Sequence, residues 1–156
     1  MRETSKLTTD SLSPGDYRDL KLPPLAFQKV SDLLRGSPEF TISARLRQEP
    51  GNTGTIVSFA HGSNRYLELE SSGRKNEIRL HYTSRLDSKV HMETFRYRLA
   101  DNKWHDVAVS VSGSQVELLV DCESLLKRLL KPGVPERNFS EPTQLWLGQR
   151  NIHYFF

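Results

Sequence analysis

Apolar side chains recur at every second residue in one short segment after another, and each segment is closed by a cluster of Gly, Asn, Ser or Pro. A half-buried β-strand requires that pattern, because successive side chains on a strand point to opposite faces. Phe40, Ile42, Ala44 and Leu46 alternate with Thr41, Ser43, Arg45 and Arg47. Shorter segments at 55–60, 66–70, 78–83 and 94–99 behave alike. In 104–112 Val107, Val109 and Val111 share a face, Ser112-Gly113-Ser114 offers a tight turn, and Val116, Leu118 and Val120 follow, which predicts a hairpin. A last strand at 144–148 puts Leu145 and Leu147 on one side and Trp146 on the other. About nine short strands with regular turns predict an all-β antiparallel sandwich.

Other stretches depart from the period of two. Phe27, Val30, Leu33 and Leu34 recur at helical spacing, with Pro24 suited to a first turn and Gly36 to the C-terminal side, so a short helix is expected over 25–35. The run Leu125-Leu126-Lys127-Arg128-Leu129-Leu130 fits a helix by propensity and a strand by its place after a hairpin. Residues 1–24, with Ser13-Pro14-Gly15-Asp16 and Pro23-Pro24, read as a loose segment, and Pro132-Gly133-Val134-Pro135 breaks the chain.

A length of 156 residues suits one domain, and 36% hydrophobic residues allow a lean core. Apolar runs fall far short of the roughly 18–20 residues of a membrane span, and the first residues lack the apolar stretch of a secretory signal. A net charge of +3 selects no partner by itself. The single Cys122 forms no internal disulfide and is too few to nucleate a zinc site; it is a buried thiol or half of a bridge whose partner lies outside this chain.

Phosphate loops, dinucleotide fingerprints, zinc-protease motifs and nucleophile elbows are all missing. Ser124-x-x-Lys127 has the spacing of a nucleophile and its base, but so loose a pattern arises by chance. His105 and Asp106 adjoin, yet strand neighbours face opposite ways and cannot pair as base and orienting carboxylate. Glu68-x-Glu70 places two carboxylates on one strand face, the arrangement of a sandwich-fold glycosidase; alternation with Leu67 and Leu69 predicts instead an ordinary solvated face. If 77–83 pairs with 95–99, Ile78, Leu80, Tyr82, Phe95, Tyr97 and Leu99 go inward, while Arg79, His81, Arg96 and Arg98 form an outward stripe. Arg74 and Lys75 before it, with Arg85 and Lys89 after it, extend it into a patch suited to a linear polyanion, while Glu77, Asp87, Glu93 and Asp101 dilute it and leave an ordinary solvated charged face as the alternative. No aromatic residue alternates outward among these cations to stack on bases, which argues against nucleic acid. Asn138-Phe139-Ser140 is a glycosylation sequon in a Pro-flanked segment.

Trp104-His105-Asp106-Val107 running on to Val120-Asp121-Cys122, with Phe40-Thr41-Ile42 before and Leu145-Trp146-Leu147-Gly148-Gln149-Arg150 after, resembles the thrombospondin N-terminal-like laminin G domain. Tyr66–Gly73, Asn76–Tyr82, Tyr97–Asp101 and the Trp-Leu-Gly-Gln-Arg-Asn run ending at Asn151 most resemble the NEL-like proteins, followed by the kielin/chordin-like proteins. The resemblance covers 25–151 and leaves 152–156 as an apolar tail. It implies a laminin G jelly roll, secretion, and a non-catalytic head that binds heparan sulfate in a growth-factor or receptor context, without a cofactor. It further implies that the partner of Cys122 and the closing strands lie beyond this chain, which is then truncated at both ends, and it favours a strand at 125–130. No convincing calcium ligand set stands out.

Overall fold

The computed structural model describes residues 21–140, 142–151 and 154–155. Helix α1 (Pro24–Gly36) starts on a proline whose missing N–H costs nothing in a first turn, and it turns Phe27, Val30 and Leu34 toward the core. The expected helix is present.

Eleven strands follow among the described residues: β1 (Glu39–Arg47), β2 (Thr53–His61), β3 (Asn64–Ser72), β4 (Glu77–Thr83), β5 (Val90–Arg96), β6 (Trp104–Ser112), β7 (Gln115–Val120), β8 (Glu123–Leu129), β9 (Gln144–Leu147), β10 (Gln149–Asn151) and β11 (Tyr154–Phe155). Four of them form a sheet in the order β1-β6-β7-β8, and five form a second in the order β5-β4-β3-β2-β9. Every pairing is antiparallel. Between the sheets Val107, Val109, Val111, Val116, Leu118 and Val120 meet Phe59, Leu67, Leu69, Ile78, Leu80 and Phe95, all nearly inaccessible to water. The period of two therefore forecast the sandwich correctly. Edge strands β5 and β8 lie on the same side, because Arg128 on β8 donates to the Thr94 carbonyl on β5 at 2.8 Å.

One expectation needs adjustment, an open one is resolved as the resemblance implied, and a third gains detail. The run at 125–130 is mostly strand β8: Asp121 and Cys122, with φ of 52° and 68°, make a left-handed turn that folds the chain back on β7, and this ladder outweighs helix propensity. The strand expected at 94–99 is shifted to Val90–Arg96, since the alternation of Val90, Met92 and Thr94 is too weak to read and the chain leaves the ladder after Arg96. Leu99 is nonetheless buried. Trp146 is buried as well as Leu145, because Lys21 and Leu22 run beside β9 and the Leu22 N–H donates to the Leu145 carbonyl at 2.8 Å. Most of the stretch 1–24 and part of the apolar tail lie outside the described residues; Tyr154–Phe155 pairs with β10. No described helix is long and apolar enough to cross a membrane.

Candidate functional site

On the outer face of the five-stranded sheet, β3 and β4 place Glu68 opposite His81 and Glu70 opposite Arg79. The solvated face expected for these glutamates is overturned: Glu68 is 0% and Glu70 9% exposed. Their charges are matched by neighbours. The Ser58 hydroxyl donates to Glu68 Oε2 at 2.8 Å, and Arg65 Nη1 lies 3.6 Å from Glu68 Oε1. Arg79 Nη1 donates to Glu70 Oε1 at 2.9 Å while its other nitrogens hold Glu77, and His81 Nε2 lies 3.4 Å from Glu70 Oε2. Burial pushes the Glu68 carboxyl above its ordinary range, whereas hydrogen bonding to His81 brings Glu70 below it.

This network also corrects the outward stripe. Arg79 and His81 do project from the face opposite Ile78 and Leu80, but His81 is buried and Arg79 is only 17% exposed, both engaged by carboxylates. Strand alternation revealed the face; it could not reveal that cross-strand partners are acids.

Arg74, Lys75, Arg96 and Arg98 behave differently. The first two occupy the β3–β4 turn, and the latter two leave β5 beside it, where the Tyr97 N–H donates to the Asn76 carbonyl at 3.0 Å. All four are exposed, and among the described residues none forms a salt bridge. Glu77, directly across from Arg96, is held by Arg79. The end of the sandwich is tied together by Gly73 N–H to Asn52 O at 2.7 Å and Asn102 N–H to Gln48 O at 2.9 Å. These bonds bring Arg47, Lys103 and Trp104 to the same end, residues the sequence reading did not assign to the patch. Trp104 is 59% exposed with the Arg47 guanidinium 5.8 Å from its ring. Its signal was present: Trp104 is out of phase with inward Val107 and Val109.

His105, in phase with those valines, is buried between Asp121 Oδ2 at 2.8 Å and Asp101 Oδ1 at 3.1 Å, and does not engage Asp106. Ser124 donates to Glu117, which also takes Lys127 at 3.4 Å, so a carboxylate stands between the supposed nucleophile and its base. The buried thiol expected as one reading of Cys122 is overturned: it is exposed at the tip of the β7–β8 turn, where its left-handed backbone carries it outside the core. Asn138 is exposed and accepts from Arg35 Nε at 3.0 Å, although Phe139 beside it is buried against Phe59.

Residues 47–153 match the Laminin G domain family. The chain belongs to the laminin G domains. It is 42% identical over 140 residues to mouse protein kinase C-binding protein NELL1 and 42% over 146 residues to chicken protein NEL, covering 89% and 93% of this chain. It spans only 17% and 18% of those relatives' lengths. Among solved structures, mouse laminin alpha1 chain domains LG4-5 align with a TM-score of 0.53 at 20% identity, over 74% of this chain and 29% of that one. A Ruminococcus gnavus sialidase CBM40 aligns at 0.59 and 11% identity, over 75% of this chain and 70% of that one. These structures share the fold of this NEL-like laminin G domain.

Proposed function

We propose that the chain is the non-catalytic binding module of a secreted, NEL-like extracellular protein, and that its basic end binds heparan sulfate or heparin through Arg74, Lys75, Arg96 and Arg98. Four exposed cations, two in the β3–β4 turn and two at the adjacent end of β5, with no acid among the described residues holding them, support this reading. A sulfated polysaccharide offers repeated anionic groups along a line, and several weak charge contacts on it add up. Arg79 and His81, already committed to Glu70, are left out of the ligand set. Trp104 beside Arg47 adds an amphipathic platform at the same end. Growth factors or receptors are the natural protein partners of such a module, and Asn138 is its glycan acceptor.

Heparin-affinity elution tests the proposal. Arg96→Ala with Arg98→Ala should elute at clearly lower salt than the parent while keeping its near-ultraviolet circular dichroism. Arg45→Ala, on the other sheet beside Asp106, should elute with the parent. Equal retention of the double variant and the parent would remove the basic end as the site.

Exposed Leu86 in the β4–β5 loop, with exposed Val90 and Met92 on the edge strand β5, favours a second reading, a protein-interaction or oligomerisation module without sugar binding. Light scattering on the parent and on Met92→Lys separates the two, since only the second reading has an assembly for the lysine to disrupt.

A further inference from the structure

We propose that the cleft beside Asn138 seats the first N-acetylglucosamine of a glycan carried on that residue, which rests on reading Asn138 as the glycan acceptor. The cleft measures about 150 Å³ and lies between the β4–β5 loop and the 134–140 segment. A void of about that size takes one six-membered ring. Asn138 and Ser140, the two polar residues of the sequon, are exposed and line it, while Phe139 between them stacks on Phe59 at 4.6 Å.

The lining suits an amino sugar. Thr83, Ser84, Ser88, Ser140 and Thr143 bring hydroxyls, and Glu136 brings a carboxylate. A pyranose offers its own hydroxyls to the first set, and its acetamido N–H is a donor for a carboxylate. Tyr66, half-buried with its ring tilted 6.3 Å from that of Phe139, supplies an apolar wall for the C–H face of the sugar.

The walls are held before any sugar arrives. The Glu136 N–H donates to the Thr83 carbonyl at 2.7 Å and the Arg85 N–H to the Val134 carbonyl at 3.0 Å, so the two segments are tied to each other. Glu136 Oε1 accepts from the Arg137 and Asn138 N–H groups, both at 2.8 Å. Arg35 Nε donates to Asn138 Oδ1 at 3.0 Å, which fixes the amide plane from which the sugar departs. Transfer from a lipid-linked oligosaccharide pyrophosphate forms the bond from sugar C1 to Nδ2, breaks the C1–O bond to the departing pyrophosphate and releases one amide proton. Oδ1 keeps its lone pairs, so the Arg35 bond survives. Strand β4, seven residues long, sets the cleft roughly 20 Å from the Arg74 and Lys75 turn, and the glycan leaves the basic end open.

Secretion of the whole chain behind a cleavable leader, from cells that build only high-mannose glycans, tests the seat. Glycopeptide mass spectrometry should find Asn138 occupied, and endoglycosidase H then leaves a single N-acetylglucosamine on it. That form should melt about 2–4 °C above the same chain made in bacteria, where Asn138 stays bare, which is the shift one modest contact produces at this size. Tyr66→Ala removes the wall, and Ser88→Arg, at an exposed position, fills the cleft. Each should lose the gap between its glycosylated and bare forms. If circular dichroism shows Tyr66→Ala unfolded, Ser88→Arg decides alone. A bare Asn138 in the secreted parent would remove the acceptor reading and this proposal together. An occupied Asn138 with no gap in melting, or a gap that a folded variant keeps, leaves the acceptor in place and overturns the seat.

Discussion

His105 joins three separate pieces of chain with one ring. Its nitrogens face Asp101, in the loop before β6, and Asp121, in the turn after β7, while Asp121 also accepts from the Asp106 N–H at 2.9 Å. Burial pulls the imidazole pKa down, but the two carboxylates pull harder and the net shift is upward. Asp101 and Asp121 are both shifted downward, Asp101 chiefly by the Lys103 backbone N–H and Asp121 chiefly by His105. The histidine contribution is complete below its unfolded pKa of about 6.5 and fades as pH rises through the raised folded value. The aspartate contributions are complete above about 3.9 and fade as pH falls through their lowered values. The difference in melting temperature between the parent and His105→Gln should thus be greatest between those limits and shrink on the alkaline side, as scanning calorimetry across pH would read. That His105 points inward was legible from its phase with Val107; its aspartate partners were not, because a loop before β6 must fold back to bring Asp101 and the turn after β7 must bring Asp121. Glu68 and Glu70 teach the same lesson. Alternation fixed their face, and only the register with β4 determines whether that face meets water or counter-ions. Glu70→Ala removes one of the two carboxylates that hold Arg79, which keeps Glu77, and should cost about 1–3 kcal/mol in urea denaturation.

Among elements, the β3–β4 hairpin carries the sharpest steric constraint. A Cβ on Gly73 would stand 2.3 Å from the Asn52 carbonyl oxygen and 2.7 Å from the Ala100 side chain. Neither neighbour is a flexible tip, so Gly73→Ala should lower stability by about 1–3 kcal/mol, seen as an earlier urea midpoint. It should also loosen the seat of Arg74 and Lys75. Sequence pattern located this hairpin well because Gly, Arg, Lys and Asn interrupt the alternation abruptly. It misplaced β5 because the strand is an edge: Val90 and Met92 are exposed there and leave only Phe95 as a strong inward marker. Strand β8 was ambiguous for the opposite reason, since its leucines and basic residues suit either geometry until β7 offers a ladder.

For the whole molecule, affinity for a linear polyanion rests on how many cations release counter-ions. Taking duplex nucleic acid as the guide, removing Arg96 and Arg98 should reduce the slope of log affinity against log salt by about two, one for each lost contact. Fluorescence titration with a heparin fragment at several salt concentrations measures it directly. A slope unchanged within error would mean that neither arginine touches the ligand. The sandwich was readable because burial imposes a period on the sequence; the basic end was only half readable because exposure leaves no such imprint.

The unpaired cations stand outside the core, in the β3–β4 turn and at the end of β5 where its ladder closes. Such positions are free to vary between generations: a lineage can add, drop or reverse a charge there while the sandwich beneath continues to assemble. Domains descended from one ancestor can thus keep the frame and diverge in what they recognise, and the rim, more than the core, is where that history of ligand choice will be written.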